Sequence, residues 1–122
     1  MGDFAFPCFK LAKTLRTQGE FAAAAYDFIE LAKTQTNLKA DCYVQAGDIM
    51  NILGLFDNSI NYYQLALNEN PKKEEIQLKL ARVYERAGKI DEAAKAYENI
   101  CENSEENSDI LYSLENIWNS KS

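Results

Sequence analysis

Ile76, Leu80, Val83, Tyr84 and Ala87 recur at intervals of three and four, with charged residues between them. That spacing sets the apolar side chains on one face of a helix. Gly88 follows, and glycine tolerates the positive φ that closes a helix. Asp91 is placed to cap the next helix. Ala93, Ala94, Tyr97, Ile100 and Cys101 would form that helix's buried side. Two short helices joined by a tight turn predict an αα-hairpin.

The same pattern occurs three times. Gly19, Gly54 and Gly88 stand 35 and then 34 residues apart, and each is followed two residues later by Phe21, Phe56 or Ile90. In step with them, Ala24, Ser59 and Ala93 recur, then Phe28, Tyr63 and Tyr97, then Leu31, Ala66 and Ile100. Before each glycine come Leu15, Met50 and Tyr84, and one turn earlier Leu11, Ala46 and Leu80 beside Ala12, Gly47 and Ala81. The small residues leave room for the helices of each hairpin to approach, and the aromatics are expected to fill the step to the next unit. Asn70-Pro71 ends the second unit, because proline cannot continue a helix. One hairpin cannot bury its apolar face alone, so the units must stack. The expectation is an all-α, right-handed α-α superhelix of three helical hairpins, with repeats at about 5–38, 40–73 and 74–107.

This pattern resembles the tetratricopeptide repeat family over most of the chain. The second unit carries Tyr43, Gly47, Phe56, Tyr63, Ala66 and Pro71 at the family's signature positions. The third keeps Tyr84, Gly88, Ala93 and Tyr97 but has Gln77 for the usual aromatic and Glu105 for the usual proline. The first departs furthest, with Cys8 and Leu15 at its aromatic positions.

The two ends differ. Ile110, Leu111, Leu114, Ile117 and Trp118 make an amphipathic stripe, read as a C-terminal capping helix at about 108–119. The acidic stretch at 102–107 before it reads as a solvated connector. At the other end Phe4, Phe6 and Phe9 crowd the first turn, to fold back over the end or to meet a partner.

Charge and chemistry narrow the classes. Thirteen Lys and Arg against nineteen Asp and Glu give a formal charge of −6, which repels phosphate backbones and anionic lipid heads. Neither nucleic acid nor membrane is an expected partner. No histidine occurs, which removes the commonest general base and metal ligand. The three cysteines are far apart and form no metal-ligand spacing, so no metal or cofactor is expected. They read as small core fillers in a reducing, cytoplasmic setting. No hydroxyl has a base at a motif distance and no phosphate loop occurs, so the chain is not expected to be an enzyme.

In the family it resembles, the first helix of each hairpin lines a concave groove that holds a peptide or helix of another protein. Carried onto this sequence, that groove would be lined by Phe9, Lys13 and Arg16, then Val44, Gln45, Asp48 and Asn51, then Leu78, Lys79, Arg82 and Arg86. Phe9, Val44 and Leu78 lie off the core-facing stripe and form an apolar ridge, beside a cationic group. The groove would therefore take an apolar segment with acidic groups. The clamp with which some members grip a terminal carboxylate is expected to be absent, because Phe9, Lys13, Gln45, Glu75 and Lys79 occupy its positions. The expected function is a protein-interaction module. Two alternatives are a small dedicated chaperone of a secreted client and a structural subunit that self-associates through its N-terminal end.

Overall fold

The computed structural model describes residues 5–103 together with Asn116, Ile117 and Asn119. These residues form six α-helices: α1 (Ala5–Thr17), α2 (Phe21–Thr34), α3 (Lys39–Ile52), α4 (Phe56–Glu69), α5 (Glu74–Arg86) and α6 (Ile90–Asn103). They pair in chain order as three hairpins, and a single 3-10 turn at Thr36–Leu38 links the first two. Residues 1–71 and 72–122 are two compact units.

The turn glycines are equivalent corners. Gly19, Gly54 and Gly88 have φ of +86°, +79° and +80°. At each, the glycine N–H donates to the carbonyl three residues back and the next N–H to the one five back. The second bond is Glu20 to Leu15, Leu55 to Met50, and Lys89 to Tyr84, at 2.9, 2.8 and 2.8 Å. These paired bonds satisfy carbonyls that the helix end would otherwise leave open. A side chain at these angles would be strained, so glycine recurs here for a local reason.

In the first unit α2 packs on both α1 and α3. Ala12, Ala24, Ala25, Phe28, Ala32, Cys42 and Ile49 form one buried cluster, with Phe9, Leu15 and Tyr43 against its edge. Phe28 has no exposure, and burying such a ring contributes about 1.5–3 kcal/mol. The second hairpin closes more tightly. Ser59 is fully buried and donates to the Gly47 carbonyl at 2.7 Å, and the Tyr63 ring lies over Gly47 where a Cβ would collide. In the second unit Ala81, Ala93, Ala94, Tyr97, Ile100 and Ile117 form the core.

Several expectations need correction. Phe28 packs with Cys42 and Ile49 of the next hairpin, while Tyr63 and Tyr97 also tie their own hairpins, with hydroxyls on Asp48 and Glu85, because a buried phenol needs an acceptor and the facing helix supplies one. Asp91 lies inside the first turn of α6, which already begins at Ile90, so it is not the cap. Its charge and that of Glu92 still favour the helix dipole there. Leu11 is 57% exposed although Ala46 and Leu80, its counterparts, are buried. Of the thiols only Cys42 is a core filler; Cys8 is exposed and Cys101 half-buried.

The capping helix at 108–119 falls largely outside the described residues. Within it Asn116, Ile117 and Asn119 are helical, and Ile117 is buried in the core of the second unit. Of the connector expected at 102–107, Glu102 and Asn103 belong instead to the last turn of α6, and the rest falls outside the described residues, as do Phe4 and the side chain of Phe6.

Candidate functional site

The predicted binding residues fall into two groups, one in each unit. In the first unit they sit on α1 and α3, which are both packed on α2. Phe9 does not stand clear of the core. Its ring meets Phe28 edge-on, with centroids 5.4 Å apart and planes at 69°. It is half-buried, and the exposed Lys13 ammonium lies 5.9 Å from the ring centroid. A cation over an aromatic face is weakly held by the ring quadrupole.

One turn later Arg16 crosses from α1 to α3. Its Nη1 donates to Gln45 Oε1 at 2.5 Å and lies 3.4 Å from Asp48 Oδ2. The other Asp48 oxygen accepts from the Tyr63 hydroxyl on α4. Asp48 is only 9% exposed, so it holds the helices together behind the wall and is not offered to a partner. This corrects its placement in the groove. A buried carboxylate is tolerated because Arg16 and Tyr63 both meet it. Burial, and next the bond to Asp48, push the Tyr63 phenol well above its ordinary range. Arg16 keeps part of its side chain in solvent, and Val44, Gln45 and Asn51 are half-buried beside it on α3.

In the second unit Leu78 also packs against the core, for the reason that holds for Phe9. Positions at the margin of a helical stripe touch the core with one edge and solvent with the other. Lys79 is half-buried, while Arg82 and Arg86 are exposed on α5.

Two features escaped the sequence reading. Tyr43 and Tyr62 stack across the second hairpin, centroids 6.1 Å apart and planes at 19°. Both rings of the doublet Tyr62-Tyr63 meet α3, whereas the repeat marks Tyr63 alone. Arg16, Gln45 and Asp48 also form one network, which needs a side chain to reach between hairpins.

Among the described residues, no group of three or more His, Cys, Asp or Glu is placed to hold a metal ion. None of the described helices is long and apolar enough to cross a membrane.

A family model described as tetratricopeptide repeat matches residues 53–114, just over half of the chain. No curated protein matches the chain. Among solved structures, the Yersinia enterocolitica type III secretion chaperone SycD, in complex with a peptide of the translocator YopD, aligns over 100% of this chain and 98% of its own. Its TM-score is 0.88 at 17% identity. The first repeat domain of Spaghetti (RPAP3), bound to the HSP90 peptide SRMEEVD, covers 98% and 94% at a TM-score of 0.83 and 16% identity. MamA covers 96% and 68% at 0.84 and 22% identity. At such identities the likeness speaks to the fold alone.

Proposed function

The chain belongs to the tetratricopeptide repeat family, and from that premise we propose that it is a non-catalytic, cytoplasmic module that holds a peptide or short helix of a partner protein on α1 and α3. Lys79, Arg82 and Arg86 lie on α5, in the second unit. One observation carries the reading. Arg16 on α1 is bonded to Gln45 on α3, so the outward faces of the two helices lie side by side. Phe9 and Lys13 flank that seam on one helix and Val44 on the other.

The chemistry of this wall selects its ligand. The edge of Phe9 and the half-buried Val44 suit an apolar side chain, and Lys13 and Arg16 suit a carboxylate. Gln45 and Asp48 engage one nitrogen of the Arg16 fork, which restrains it and leaves the donors of its other nitrogens for a ligand. A guanidinium restrained in this way loses less freedom on binding. That SycD and RPAP3 are each in complex with a peptide supports the assignment. The cytoplasmic setting is supported by the three free thiols.

Selection of a displayed library of random peptides on the folded chain tests this. Enriched sequences are expected to pair a large apolar residue with Asp or Glu. Lys13→Glu and Val44→Ser should each weaken their capture about tenfold without lowering the melting temperature. Equal capture by both variants, or no enrichment at all, would overturn the reading.

A further inference from the structure

The first hairpin holds an open cleft that the second hairpin has filled. It measures about 400 Å³ and is lined by Cys8 and Leu11 of α1 and by Asp27, Glu30, Leu31 and Thr34 of α2. Counting from the turn glycines, Cys8 and Asp27 occupy the places of Tyr43 and Tyr62. In the second hairpin those two rings stack across the crevice. In the first, a thiol and a carboxylate stand there and the space stays open. Leu11 likewise occupies the place of Ala46, yet it is 57% exposed where Ala46 is fully covered by its surroundings. An exposed leucine beside an apolar hollow is a surface that gains from being covered.

We propose that this cleft is a second docking site, which takes an aromatic side chain from a helix of a partner protein that carries lysine or arginine beside the ring. The aromatic follows from the adjacent hairpin, where a tyrosine pair supplies what is missing here. The basic neighbour follows from the rim, where Asp27 and Glu30 both line the cleft. Glu30 also meets Lys33 at 3.1 Å, but Lys33 is exposed and Glu30 half-exposed, where such a pair is weak and exchangeable. A second copy of the chain suits the rim less well, since each copy carries a formal charge of −6. The site is separate from the wall around Arg16, and neither depends on the other.

The probe is a synthetic lysine-rich amphipathic helix with two tyrosines one turn apart, titrated into the isotope-labelled full chain by NMR. Amide shifts should cluster at Cys8, Leu11, Leu31 and Thr34. Exchanging the probe's tyrosines for alanine, or Asp27→Lys in the chain, should weaken binding about tenfold. The double variant Cys8→Tyr/Asp27→Tyr, which copies the second hairpin, should bind no probe and melt higher than the parent. Equal binding of the alanine probe would overturn the proposal, and so would shifts centred on Val44 and Gln45. A concentration-dependent dimer of the chain alone that Asp27→Lys abolishes would assign the cleft to a second copy instead. Binding that appears only after deletion of residues 2–4 would assign it to the chain's own N-terminus. Lys13→Glu should leave this titration unchanged, which keeps the two sites distinguishable.

Discussion

The Tyr63 hydroxyl donates to the buried Asp48 carboxylate while its ring lies across the bare Cα of Gly47. One side chain of α4 therefore closes on α3 by packing and by hydrogen bonding together. Because Asp48 also meets Arg16 of α1, the same carboxylate ties the first hairpin to the second.

Tyr63→Phe keeps the ring and removes the donor. Asp48 then loses a partner in a site that is almost closed to water. Leaving a buried acceptor short costs about 1–3 kcal/mol. Urea unfolding should show the midpoint lowered by that amount with the slope unchanged. A loss below roughly half a kcal/mol would mean that Asp48 is satisfied without the phenol.

Gly47→Ala tests the packing half of the contact. A Cβ there would lie 2.7 Å from two atoms of the Tyr63 ring, and the ring is pinned by its hydroxyl. Overpacking of this kind costs about 1–3 kcal/mol, against a helix-propensity gain of at most about 1 kcal/mol. The variant should melt lower than the parent. Adding Tyr63→Leu should recover part of the loss, because the smaller side chain gives the methyl room. A Gly47→Ala chain that melts higher would show that the ring moves freely.

Leu80 and Leu11 share a register position but not a fate, being 8% and 57% exposed. Leu80→Ala should cost about 2–5 kcal/mol through the cavity it leaves. Leu11→Ala should stay within about half a kcal/mol. Equal losses would mean that Leu11 is covered in solution.

That contrast also marks how far the sequence could be read. The corners at Gly19, Gly54 and Gly88 were legible because a helix end at positive φ is a local backbone demand. The small positions Ala24, Ser59 and Ala93 were legible for a similar reason, since close helix approach excludes larger side chains. Leu11 was not, because periodicity shows which face is apolar and not whether a neighbour covers it. Asp48 was not either. Its place on the helix suggested a wall position, and only the reach of Arg16 and Tyr63 from other helices turns it into a buried anchor.

Alkaline pH should loosen the first unit. The fully buried Cys42 thiol is raised from 9.0 to about 11, first by burial and then by the charge of Asp41. The unfolded chain thus releases this proton near pH 9, and the folded chain holds it until about pH 11. The stability so gained is complete below pH 9 and is lost as pH climbs towards 11. Tyr63 acts in the same direction, its phenol raised by burial and by Asp48. Unfolding free energy measured in urea should therefore be flat through neutral pH and fall above about pH 9. Cys42→Ala lowers stability at every pH, but it should flatten the first part of that fall, and an unchanged slope would remove Cys42 as its cause. Exposure gives a second reading of the same core: a small alkylating reagent should modify the exposed Cys8 well before the buried Cys42 in the folded chain.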